Sequence, residues 1–142
     1  MSNALNPCAD PASAREKEEV RRFWDAQPCG LATGSDAVGS RAFFDQVEEH
    51  RYRVEWFIPR LVEFARWRSQ RVLEIGCGLG TDTLQFLRAG AEVTALDLSP
   101  RSVWLAHERA RQNGHRGLFL NADAETLPFA DASFDLVYSW GV

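Results

Sequence analysis

A chain of 142 residues, 45% of them hydrophobic, is long enough for one domain with a core of its own and too short to expect two. Its 20 acidic and 16 basic residues leave a net charge of −4, which supplies no basic field for nucleic acid or an anionic membrane and favours a small or neutral partner. No apolar run approaches the roughly 20 residues of a membrane helix, and the N-terminus lacks the charged-then-apolar order of a signal peptide, so a cytoplasmic address is expected.

Residues 1–14, "MSNALNPCADPASA", are small, polar and broken by Pro7 and Pro11, the composition of a disordered N-terminus. From Arg15 to Trp24 charged residues run into Val20, Phe23 and Trp24 at helical spacing, which predicts a helix, and the Gly-rich "QPCGLATGSDAVGS" predicts a loop after it. A longer helical stretch starts near Arg41. In it Val54, Phe57, Ile58, Leu61, Val62 and Ala65 fall on one stripe, with Pro59 expected to kink or restart the helix. Cys8, Cys29 and Cys77 are odd in number and far apart, which suggests neither a disulfide framework nor a metal site.

After Ser69 the pattern changes. "RVLEI" reads as a strand, "GCGLG" as a turn, "TDTLQFLRAG" as a helix and "AEVTALD" as a second strand. The helix in "SPRSVWLAHERARQNG" has Ser99 as N-cap, Pro100 at its first position and Asn113-Gly114 as its stop. "GLFLNAD" is a third strand, and "FDLVYSWGV", after the "LPFADAS" loop, a fourth. Short apolar strands alternating with helices predict a parallel sheet with right-handed crossovers.

Gly76, Gly78 and Gly80 allow a strand to turn sharply into a helix whose free N–H groups and positive end face whatever binds there. Asp97 ends the second strand about twenty residues on, where a carboxylate can accept both hydroxyls of a ribose. Asp123 ends the third strand and can accept from an exocyclic amine such as adenine N6, with the Ala124 N–H beside it for a ring nitrogen. Each acid alone reads equally well as a solvated residue or a cap. Together with the turn they mark one edge of the sheet, which is where open α/β sheets bind ligands. Glu74 is costly beside a phosphate and useful beside an ammonium, so a cationic ligand is expected. His50, His107 and His115 are candidates by type only, with surface or packing roles favoured.

The motifs "VLEIGCGLGTD", "VTALDLSP", "NADAETLPFADASFDLVYS" and "SWGV" resemble those of the class I S-adenosylmethionine-dependent methyltransferases, the type 11-like branch, over residues 71–142. Thr81 stands where a dinucleotide fingerprint would want its third glycine. The resemblance implies an α/β, Rossmann-like parallel sheet of seven strands ordered 3-2-1-4-5-7-6, of which this chain would hold a partial sheet, 3-2-1-4, with an N-terminal helical cap over residues 15–68. It further implies S-adenosyl-L-methionine as cofactor and a small-molecule methyl acceptor. Glu74, Gly76, Cys77, Gly78 and Gly80 would wrap the methionine part, Asp97 the ribose, Leu98 the adenine face, and Asp123 and Ala124 the adenine edge. Ser139 and Trp140 would lie beneath the transferable methyl. No catalytic base is implied, because methyl transfer from a sulfonium depends mainly on alignment in a dry site.

In such a sheet the fourth strand is central, so residues 69–142 are expected to be the cofactor-binding half of a domain truncated after its fourth strand. The crossover from strand three to strand four spans about 14 Å across the sheet, and its twelve residues reach up to roughly 40 Å, so no helix is required. Self-association through the open edge of the fourth strand is a further expectation. Two rival readings stand beside the enzyme: an inactive cofactor-binding or strand-pairing module, and a NAD-dependent oxidoreductase, which shares the glycine turn and Asp97 but leaves Asp123 unexplained.

Overall fold

The computed structural model describes residues 11–142. Cys8 and residues 1–10 of the stretch expected to be disordered lie outside the described residues. Residues 11–14 belong to a helix, α1 (Pro11–Ala26), which starts four residues before Arg15 because a proline is tolerated in the first turn.

Helix α2 (Arg41–Val54) begins at Ser40, whose hydroxyl accepts the Phe43 N–H at 3.1 Å, and it buries Phe43, Phe44 and Val47. The apolar stripe expected to continue through Ala65 is broken. A short helix, α3 (Ile58–Val62), restarts at Pro59 as anticipated, but Glu63 adopts a left-handed conformation (φ 49°) and a 3-10 turn follows over Phe64–Trp67. That break turns Ile58 and Phe64 into the core and leaves Val54 and Leu61 in solvent.

The sheet consists of β1 (Arg71–Ile75), β2 (Glu92–Asp97), β3 (Leu118–Asn121) and β4 (Leu136–Ser139), all parallel and ordered β3-β2-β1-β4. This is the partial Rossmann-like order expected, although β4 stops at Ser139 and Trp140–Val142 lie beyond it. The crossovers are α4 (Thr81–Ala89) and α5 (Pro100–Gln112), and the passage from β3 to β4 has no helix. Ser99 caps α5 by accepting the Ser102 N–H at 3.1 Å, Pro100 opens the helix and Asn113 closes it, as the sequence predicts.

Strand alternation determines where the core sits. Val72, Val93, Ala95 and Tyr138 point to one face and pack with Phe86 and Leu87 of α4 and Ala106 and Ala110 of α5. Burying each large side chain in this layer contributes about 1.5–3 kcal/mol, so the α4–α5 face dominates the packing. Val137, on the opposite pleat of the β4 edge, remains exposed.

Candidate functional site

The register places Leu120, Leu96, Ile75 and Ser139 in one row across the sheet, so all four strands end together. The glycine turn leaves β1 at this edge. The N–H groups of Gly76 and Cys77 both donate to the Leu96 carbonyl, at 2.8 and 3.0 Å, so β2 supports the turn from beneath.

All three glycines take positive φ, but their surroundings differ. Gly78 (φ 51°) has open space where a Cβ would stand, as a close-approaching ligand requires. Gly80 (φ 70°) instead lies against α5, where a Cβ would come within 2.9 Å of the Ala106 Cα, so it serves helix packing. Gly76 is covered by the Val142 side chain.

Asp97, at the end of β2, has both carboxylate oxygens fixed by backbone. Oδ2 accepts the Gly78 N–H and Oδ1 the Ser99 N–H, each at 2.9 Å. Each oxygen keeps a lone pair for a further donor. Asn121, a residue the sequence reading passed over, donates through Nδ2 to the carbonyls of Asp97 and Leu98, at 3.0 and 2.8 Å, and holds that corner in place. Leu98 is half-buried and Ser139 is exposed at the end of β4, whereas β3 ends at Asn121, so Asp123, expected to end that strand, and the exposed Ala124 stand in the turn after it.

Asp123 already has a partner. The Lys17 ammonium of α1 lies 2.7 Å from its Oδ2 and 2.6 Å from Glu125, and the hydrogen bond from Lys17 together with one from the Glu125 N–H holds the Asp123 carboxyl below its ordinary pKa.

Glu74 does not do what the sequence suggested. It follows Val72 on the helix-facing pleat and pairs in register with Ala95 and Tyr138, so its carboxyl lies beneath α4, 4% exposed and hydrogen-bonded by the Thr83 hydroxyl. Burial raises its pKa to about 8 despite the opposing Thr83 bond, with the negative Asp82 adding to the rise. The carboxyl is thus packed beneath α4 rather than open at the strand ends, and its burial favours the protonated form. Cys77 is likewise buried, its thiol pushed up by desolvation, so only its backbone belongs to the turn.

Two buried polar centres tie the cap to the turn, and neither was singled out from sequence. Asp82, in the first turn of α4, accepts from Arg51 Nη2 (2.8 Å), Tyr52 Oη (2.7 Å) and Tyr138 Oη (2.8 Å). Burial, then the Asp82 charge, raises both tyrosine pKa values. Arg109 of α5, wholly buried, donates to Thr81 Oγ1 (2.7 Å), the Phe44 carbonyl (3.0 Å) and Glu48 (2.8 Å). The sequence signals were faint: an acid in a helix's first turn and an arginine between Glu108 and Ala110.

His50 and His107 are exposed and His115 follows the stop of α5, so none of the three is at the strand ends. Two concavities of about 450 and 670 Å³ lie elsewhere, one lined by residues that include Arg71, Glu92 and Arg116 and the other by Pro59, Glu63, Phe64, Ala65 and Arg66.

A row of strand ends, an open glycine turn and a backbone-braced Asp97 form the geometry that comparison with known proteins can interpret. Residues 72–142, half the chain, match the family model described as "Methyltransferase domain". The chain belongs to the methyltransferase-domain family. This methyltransferase domain is 44% identical over 81 residues to a malonyl-[acyl-carrier protein] O-methyltransferase of Erwinia pyrifoliae, covering 56% of this chain and 29% of that protein. It is 40% identical over 75 residues to the O-methyltransferase rstn1 of Aspergillus nomiae, covering 51% of this chain and 33% of that one. Among solved structures, magnesium protoporphyrin IX methyltransferase from Synechocystis with bound SAM superposes with a TM-score of 0.63 at 23% identity, over 87% of this chain and 61% of that chain. At that identity the likeness speaks to the fold, cap included. The chain spans about a third of the length of the curated relatives.

Proposed function

We propose that this chain binds S-adenosyl-L-methionine at the strand ends and forms the cofactor-binding part of a methyltransferase acting on a small molecule. The observation that carries the reading is Asp97. Its two oxygens are held apart and oriented by the Gly78 and Ser99 N–H groups, with lone pairs left for two vicinal hydroxyls. The open space at Gly78 fits the same group, because the backbone there can be approached without displacing a side chain.

Within this reading Gly76, Cys77, Gly78 and Gly80 hold the methionine part by backbone, Asp97 the ribose, Leu98 the adenine face, and Asp123 with Ala124 the adenine edge. Ser139 stands below the acceptor side. The cofactor supplies an activated methyl on a sulfonium. The work left to the chain is to orient and to exclude water. Residues 15–68 act as the cap and 69–142 as the cofactor-binding part of the domain. Among the described residues no helix is long and apolar enough to cross a membrane; a cytoplasmic setting and a small-molecule acceptor are part of the proposal.

Calorimetric titration with S-adenosylmethionine and, separately, NAD tests the assignment. Saturable binding of the first and not the second is expected. Preference for NAD would overturn it, and the loss of S-adenosylmethionine binding in Asp97→Ala would place the ligand at the β2 end.

A further inference from the structure

Helix α1 is turned inside out. Its half-buried residues are Lys17, Glu18, Arg21 and Asp25, a polar face recurring every helical turn, whereas Val20, Phe23 and Trp24 are 48%, 56% and 39% exposed. Apolar burial therefore contributes little to holding this helix against the carboxyl edge of the sheet. Polar contacts hold it, and they differ at its two ends. At the C-terminal end Asp25 Oδ1 accepts from both Ser99 Oγ and the Arg101 N–H, each at 3.0 Å, and Arg101 Nη1 returns to the Ala26 carbonyl at 3.1 Å. That end is fixed on the start of α5. About 12 Å away along the helix, the other end is held by Lys17, through Asp123 and Glu125.

We infer that α1 is a charge-latched lid, hinged at Asp25 and latched by Lys17, whose ammonium occupies on Asp123 the place that the adenine amine of the cofactor takes. The inference rests on the proposed cofactor. An ammonium and an exocyclic amine are both N–H donors to the same carboxylate oxygen, and with Lys17 2.7 Å away that oxygen cannot also receive a ligand donor along the same direction. The carboxylate keeps other lone pairs, so Lys17 is displaced by an amine that approaches along the direction it occupies, the approach the latch assigns to the cofactor. The latch is weak enough to be displaced, because both of its ion pairs are on the solvent rim.

The test is a pair of measurements on the chain and on Lys17→Met, which keeps the aliphatic stem. Calorimetry with S-adenosylmethionine is expected to show binding about three- to tenfold tighter in Lys17→Met, the range in which rim ion pairs fall. Amide hydrogen exchange is expected to show residues 16–24 exchanging faster in the variant without ligand. Binding by both proteins with equal or weaker affinity in the variant overturns the latch and leaves the cofactor reading intact. Unchanged exchange in α1 overturns the latch whatever the affinities. Absence of binding in both proteins overturns the cofactor reading, and the latch with it.

Discussion

Burial of Glu74 makes the stability of this protein depend on pH in an unusual direction. Its pKa is 4.5 when unfolded and about 8 when folded, so between those values the folded chain carries a proton that the unfolded chain has lost. The contribution is complete below pH 4.5 and is lost progressively as pH rises to 8. Each pH unit inside the window costs about 1.4 kcal/mol, so full deprotonation costs up to ~5 kcal/mol. Carboxyls with lowered pKa, such as Asp25 and Asp135, move stability the opposite way, but only toward acid. Glu74→Gln keeps a neutral hydrogen-bonding partner for Thr83 and removes the titration. Urea unfolding followed by tryptophan fluorescence, at half-unit steps from pH 5.5 to 8, gives both stability curves, and their difference cancels every group the two proteins share. With the two proteins matched below pH 4.5, the variant is expected to be the more stable by about 1.4 kcal/mol at pH 5.5 and increasingly so toward pH 8, at a slope of about 1.4 kcal/mol per unit. A flat difference curve, or one of opposite slope, would refute the reasoning that Glu74 is folded as its acid.

Asp97→Asn loses the charge and sets an amide NH2 against either the Gly78 or the Ser99 N–H, so S-adenosylmethionine affinity should fall about ten- to a hundredfold and stability by about 1–3 kcal/mol. Gly78→Ala adds a methyl in open space but forces a left-handed alanine, which costs about 1–2 kcal/mol, whereas Gly80→Ala adds a clash with the α5 backbone and should unfold at much lower urea. Comparable midpoints for the two would contradict the division between ligand approach and helix packing. Asp82→Ala leaves Tyr52 and Tyr138 without their acceptor and Arg51 without its buried partner, a loss of about 3–5 kcal/mol by analogy with broken buried pairs. A change under 1 kcal/mol in denaturation would show that this centre does not hold the cap.

The sheet was readable because each of its features obeys a local rule. Short apolar runs of four to six residues, a glycine turn after the first, and a Ser-Pro start and Asn-Gly stop around α5 fix element type and order without tertiary information. Asp97 was readable for the same reason, as the last residue of a strand. Glu74 shows where that reasoning needs one more step, since alternation from Val72 already turns it toward the helices, and the ligand interpretation overlooked the pleat. Helix α1 was legible as a helix, but the face it buries was not. Val20, Phe23 and Trp24 have the spacing of a buried face, yet the strand ends beneath this helix present Asp123, Ser99 and the α5 N-terminus, so the face complementary to them is polar. Arg109 lies among Glu108, Ala110 and Arg111, which reads as a solvated helix surface. Only the meeting of α2 with the start of α4 explains its burial.

These buried centres make the cap and the glycine turn one mechanical unit. The turn is supported by β2 through the Leu96 carbonyl and Asp97, and by α5 through Ala106 against Gly80. From the other side Arg109 ties the first residue of α4 to Phe44 and Glu48 of α2, and Asp82 ties the second to Arg51 and Tyr52. Arg51 also pairs with Glu55, which accepts from Trp140 Nε1 at 2.9 Å, and Trp140 meets Phe57 with ring centroids 5.7 Å apart. A continuous run of contacts therefore joins the start of α4, where the glycine turn ends, to Trp140, the residue just past β4. Because low-dielectric polar networks lose more than the sum of their pairs when one member is removed, substitutions in α2 that never touch a ligand should loosen the turn and the β4 end together. A cap that merely covered the site would affect neither.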